Sequence, residues 1–71
     1  MPDSVYKVIE VIGTSKDSWE KAARSAVERA GESLRDLRVA EVVNQDLVIE
    51  DGKVEAYRTK LKVSFKYEGR D

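Results

Sequence analysis

From Tyr57 to Tyr67 the chain reads Tyr-Arg-Thr-Lys-Leu-Lys-Val-Ser-Phe-Lys-Tyr, an unbroken alternation of two kinds of side chain. Arg58, Lys60, Lys62, Ser64 and Lys66 fall on one side, and Tyr57, Thr59, Leu61, Val63, Phe65 and Tyr67 on the other. Neighbouring side chains of a strand point to opposite faces, so this pattern predicts a long two-faced strand with one side in a core and the other lined by cations. Val5 to Ile12 is rich in β-branched residues and halts at Gly13, which predicts a first strand. Both of its faces are largely apolar. Such a strand is covered on both sides, and in so short a chain the second cover has to come from another subunit.

The period then changes. Trp19, Ala22, Ala23, Ala26, Val27 and Ala30 recur at steps of three and four and draw one stripe along an amphipathic helix. Hydroxyl caps in Thr14-Ser15-Lys16-Asp17-Ser18 predict a start near Ser15 or Lys16, and Gly31 predicts a stop between Ala30 and Leu34. Alanine lets this helix lie close to a curved sheet, with Trp19 as its one large anchor. From Arg38 to Glu50 the strand pattern returns, and Asp51-Gly52 is a two-residue hairpin signal leading into the third strand. The order is β-α-β-β, an α+β fold in one domain spanning residues 1–71, with 1–4 and 69–71 expected as disordered tails.

Counting back from the turn pairs Glu50 with Lys53, Ile49 with Val54, Leu47 with Ala56, Gln45 with Arg58, Val43 with Lys60 and Glu41 with Lys62. This register sets Val42 and Ala40 on the face of Leu61 and Val63, a consistent core side. On the other side Glu41 neutralises Lys62, and Gln45 stands beside Arg58. Apolar residues gather at the hairpin tip, which is expected to pack on a neighbouring subunit.

Composition narrows the chemistry. A chain of 71 residues buries only roughly 60% of its unfolded surface, a marginal core. With no cysteine or histidine it has no disulfide, zinc site or Cys-His pair, so oligomerisation is the remaining support. Thirteen basic and fourteen acidic residues give a net charge of −1, and no aromatic residue interleaves with the bases of the third strand; nucleic acid is not an expected partner. No signal peptide or membrane-spanning run is present, so no membrane association and a cytoplasmic location are expected. No nucleophile with a base, acid-base pair or glycine-rich phosphate loop stands out, which predicts a protein without catalytic residues. Oxygen donors for a hard cation such as calcium are Glu10, Asn44, Gln45, Asp46, Glu50 and Asp51.

Tyr6-Lys7-Val8-Ile9-Glu10-Val11-Ile12-Gly13-Thr14-Ser15, the alanine-striped helix, Leu34-Arg35-x-Leu37, Glu41-Val42 and the ending Lys62-Val63-Ser64-Phe65-Lys66 together resemble a dodecin. The resemblance covers the chain from about Val5 to Glu68. It implies a three-stranded antiparallel sheet wrapped around one helix, and a dodecameric hollow shell in which strands extend between neighbours. It also implies a flavin site, with a tryptophan at the start of the second strand stacking on the ring and a glutamine in the third strand fixing it. This chain has Val39 and Arg58 at those places. An aliphatic side chain offers no stacking face, and Arg58 has no acceptor for a flavin imide.

With Gln45 beside them, Val39 and Arg58 mark the family's cofactor position in an altered form, and flavin in the usual mode is not expected. Ser18-Trp19-Glu20, Arg38-Val39-Ala40, Gln45-Asp46 and the segment from Tyr57 to Lys66 look more like the calcium dodecins, which lack the flavin tryptophan. The expectation is therefore a self-assembling, small-ligand binding and storage protein with calcium at subunit junctions. On donor chemistry Asp46 leads the metal set, with Glu10 and Asn44 as helpers. Alternatives are a dodecin that binds and stores riboflavin, FMN or another flat cofactor near Arg58, and an assembly that is purely structural.

Overall fold

In a computed structural model, residues 5–66 are described. The expected tails at 1–4 and 69–71, and the end of the long strand at Tyr67, lie outside the described residues. Strand β1 covers Tyr6–Ser15, helix α1 Trp19–Ser33, β2 Leu37–Glu50 and β3 Lys53–Lys66. The sheet is antiparallel in the order β1-β3-β2, so the alternating strand is its centre. The β-α-β-β order is as the periodicities predict.

Two boundaries differ from the sequence reading. Strand β1 does not stop at Gly13 but runs on to Ser15, with Gly13 opposite Thr59 and Ser15 opposite Tyr57. Gly13 serves close approach: a Cβ there would collide with the Ala22 carbonyl and stand 2.9 Å from the Ala26 Cβ. The helix begins at Trp19, later than predicted. Ser18 is the cap, its Oγ accepting from Lys21 N at 3.1 Å, while Ser15 Oγ shapes the preceding turn by accepting from Asp17 N at 2.9 Å. The stop agrees with expectation, with Leu34 N donating to Ala30 O at 2.9 Å beyond Ser33. Positive φ angles of 54° at Asp51 and 75° at Gly52 make the predicted hairpin turn.

The helix lies over β1 and β3 and barely reaches β2. Ala22, Ala26, Leu61 and Val63 are buried beneath it, flanked by Ile9, Val11 and Val27. Among the described residues Thr59 is the buried polar one, and its Oγ1 donates to Trp19 O at 3.0 Å. Because the helix misses β2, Val42 is 50% exposed even though it faces the helix side opposite Leu61. Ile49 at the hairpin tip is 63% exposed. The radius of gyration, 14.8 Å, exceeds the roughly 11 Å of a compact chain of this length, and the molecule extends 54 × 20 × 16 Å. The hairpin therefore projects beyond its own core.

Candidate functional site

Register decides which side chains meet. Strand β3 pairs with β1 without interruption from Lys66 opposite Tyr6 to Tyr57 opposite Ser15, which sets Arg58, Lys60, Lys62 and Ser64 on the face away from the helix. Strand β2 keeps the predicted count at both ends, with Glu50 opposite Lys53, Ile49 opposite Val54 and Glu41 opposite Lys62. Between those ends it is displaced by one residue. Val48 pairs with Ala56, Leu47 with Tyr57, Asp46 with Arg58, Gln45 with Thr59 and Asn44 with Lys60. Irregularities that leave Glu55 and Val43 without opposite partners open and close the displacement.

A one-residue slip moves side chains to the other face. The predicted pairs Gln45–Arg58, Leu47–Ala56 and Val43–Lys60 are thus corrected: Gln45 joins Thr59 on the helix face, and Asp46 comes to Arg58 on the open one. The change sets Leu47 opposite Tyr57 on the helix side and brings Val48, opposite Ala56, to the open one, with both still exposed.

Four rows of the open face run across all three strands. Val8, Ser64 and Val39 form one, and Glu10, Lys62 and Glu41 the next. Ile12, Lys60 and Asn44 follow, then Thr14, Arg58 and Asp46. In the last row Arg58 clasps Asp46 with two parallel hydrogen bonds, Nε to Oδ1 and Nη2 to Oδ2, each 2.8 Å. The Arg58 hydrogen bonds hold the Asp46 carboxyl below its ordinary value of 3.8; some desolvation opposes them, and the charges of Arg58 and Lys60 add to the lowering. Asp46 in turn raises the Arg58 pKa, chiefly through the same hydrogen bonds.

From the helix side, Trp19 Nε1 donates to the Asp46 carbonyl at 3.1 Å, and its ring meets Tyr57 edge-on with centroids 5.1 Å apart. A hollow of about 190 Å³ is lined by Ile12, Asn44, Asp46, Arg58 and Lys60. No hydroxyl or thiol lines it.

Three of the six predicted site residues, Asn44, Asp46 and Arg58, meet in this hollow. Glu10 stands one row away, beside Lys62. Gln45 is on the opposite face, and Val39 is six residues along the open face from the row of Arg58, roughly 20 Å of strand. A pocket using both Val39 and Arg58 needs two subunits. Lys60 was legible beside Arg58 on the basic face, whereas sequence reasoning missed Ile12 as a lining residue and Trp19 as the brace behind Asp46.

Calcium takes about six to eight oxygens, whereas one chain brings to this hollow a single carboxylate and one amide against two cations. Among the described residues no group of three acidic side chains gathers elsewhere. Asp46 and Asn44 do not make a calcium site alone. Clasped by Arg58, Asp46 still has lone pairs to offer to a site completed from outside the chain.

A three-stranded antiparallel sheet of this order, with one helix over β1 and β3 and a charged far face, defines a small α+β protein of the β-α-β-β kind. The chain belongs to the dodecin family, whose model matches residues 5–68. It is 56% identical over 63 residues to a calcium dodecin of Mycobacterium tuberculosis, covering 89% of each chain. A dodecin of Thermus thermophilus is 38% identical over 64 residues, 90% of this chain and 93% of that one. Among solved structures, the dodecin of Streptomyces coelicolor superposes with a TM-score of 0.91 at 41% identity, covering 99% of this chain and 100% of that one. The crystal structure of the Mycobacterium tuberculosis calcium dodecin, described as a calcium-chelating immunodominant antigen with a novel calcium-binding site, superposes with a TM-score of 0.82 at 54% identity, covering 96% and 97%. Among the described residues no helix is long and apolar enough to cross a membrane.

Proposed function

We propose that this chain is a cytosolic, non-enzymatic dodecin that assembles into a dodecameric shell and binds and stores a cation of the calcium type at its subunit junctions, without holding flavin in the family's usual way. The observation that carries the reading is the Asp46–Arg58 clasp. It puts an ion pair at Arg58, where the resemblance to the family implies a flavin-reading glutamine, and presents Asp46, with Asn44 beside it, on the open face. Likeness to a calcium dodecin supports the ligand class. Since Arg58 and Lys60 make the hollow cationic, the remaining oxygens must come from a neighbouring subunit, with Glu10 as this chain's further donor. Assembly is supported by the bare apolar side chains of β2 and the tip, and by a hollow of about 650 Å³ between β1 and the helix, lined by Ile9, Val11, Ala26, Ala30 and others.

Calcium is expected to raise the melting temperature, and Asp46→Ala to abolish the rise. An unchanged melting curve with calcium overturns the cation reading. Added riboflavin or FMN should keep its fluorescence, and quenching would reinstate a flavin ligand. Light scattering should give about twelve times the chain mass of 8.0 kDa; a monomer mass refutes the assembly.

A further inference from the structure

Two apolar surfaces of the chain are left uncovered by its own fold. One is the end of the hairpin. Pairing sets Leu47 with Tyr57 on the helix side, and alternation carries Ile49, opposite Val54, to the same side. The helix starts at Trp19, beside Asp46 and Tyr57, and runs away from the turn toward Leu34. Leu47, Ile49 and Val54 are accordingly exposed.

The other is the hollow of about 650 Å³ beneath the second half of the helix. Residues of β1 and of the helix with its cap line it and none of β3 does, so it opens at the outer edge of β1. Ile9, Val11, Ala30 and Leu34 line it half-buried, beside buried Ala26. Its polar neighbours Thr14, Ser25, Arg29 and Ser33 are all exposed or part-way out to solvent at the rim. A small-molecule pocket of this size ordinarily has a few buried polar groups converging to orient the ligand. This hollow has none, and it suits the apolar side chains of a protein.

The hairpin end and the hollow cannot meet within one chain. Ile9 is opposite Val63, nine residues along β3 from Val54, or roughly 30 Å of strand. Between two copies they complement each other. At the rim stands Arg29, whose exposed partner Glu32 is 3.7 Å away, and the turn brings Glu50 and Asp51 against Lys53 alone. The hollow also lies along an edge strand, which an arriving hairpin would cover. A contact between two different patches of identical chains is heterologous, and it forms rings where the rotation closes, as a closed shell requires.

We propose that the hairpin end of one subunit, led by Ile49 and Val54, seats in the hollow between β1 and the helix of the next. The contact presupposes the assembly read above and gives it its two surfaces. Each subunit then gives one hairpin and receives one, so a closed ring leaves neither surface bare.

Because the chain has no cysteine, crosslinks can be placed at will. Ile49→Cys and Ala30→Cys are made in separate chains, one of them lengthened by a tag, and the two are produced together in one cell so that shells are mixed. Oxidation should join one long chain to one short chain. Shells of parent mass in which this product does not form overturn the proposal. Val8→Cys, exposed on the open face, replaces Ile49→Cys as the control; an equal yield from it would mean unspecific oxidation and also overturns the proposal.

Ile49→Asp places a carboxylate where the hollow is apolar, at a residue too exposed to affect the fold of the subunit. It should raise the protein concentration of half-assembly, read by light scattering, by about tenfold or more. Unchanged assembly overturns the proposal. The dye anilinonaphthalene sulfonate should stay dark on the parent shell and brighten on dissociated Ile49→Asp chains. Equal brightness on the parent shell shows a hollow open to some other occupant and overturns the contact. A parent chain that scatters as a monomer takes down the assembly and the contact together, whereas an intact shell without the crosslink takes down the contact alone.

Discussion

The two faces of β3 are built from one stretch of sequence and carry different burdens. On the helix side Thr59, Leu61 and Val63 are at most 2% exposed and set the fold. One residue along in each step, Arg58, Lys60 and Lys62 stand on the open face and set its chemistry. The packed face is expected to be sensitive to changes of volume, because the helix rests on it through Ala22 and Ala26. The open face is expected to tolerate change in single residues, while its chemistry depends on which partner the neighbouring strand presents. Stability and site chemistry are thereby separated by a single step along the chain.

The contrast is tested most severely at Leu61. Leu61→Ala leaves a cavity under the helix and should cost about 2–5 kcal/mol, measured by denaturant or thermal unfolding; a loss below 1 kcal/mol or so would mean that the helix side does not bear the fold. Next comes Gly13→Ala. A methyl group there meets the Ala22 carbonyl, so the cost should reach or pass the roughly 1–3 kcal/mol of ordinary overpacking. A neutral Gly13→Ala would show that the helix can lift off β1 freely.

On the open face the expected effect is a pH dependence. The Asp46 carboxyl is lower in the folded chain than its ordinary 3.8, so its pairing stabilises fully above that value and is lost as pH falls through the lowered one. The stability difference between the parent and Arg58→Met should shrink on acidification below that range, and a difference that stays constant would deny the clasp any role. Smallest of all is Lys62→Gln, between two buried neighbours yet itself exposed, which should stay within about 0.5 kcal/mol of the parent. A large loss there would erase the distinction between the faces.

Legibility followed the same division. The alternation of β3, the alanine stripe of the helix and Asp51-Gly52 are local patterns, and each became the element it predicts. Gly13 misled because a glycine that ends a strand and one that admits a close helix look alike in sequence. The helix start was placed early since Ser15 and Ser18 are both credible caps, and only their bonding separates a turn from an N-cap. At the site, Asp46, Asn44 and Arg58 were legible as chemical types. Their meeting was not, because counting from a hairpin assumes an uninterrupted ladder, and Val43 and Glu55 interrupt it.

The sequence by itself determined the α+β order, the two-faced central strand, the hairpin turn and the resemblance to the dodecins, since all of these reside in periodicity and local conformational preference. Tertiary structure alone decided that Asp46 would clasp Arg58 while Gln45 turned away. A displacement of one residue leaves both ends of a strand pair unchanged and reverses every side chain between them, so neither the turn nor the core pattern, which are all that a sequence shows locally, decides it.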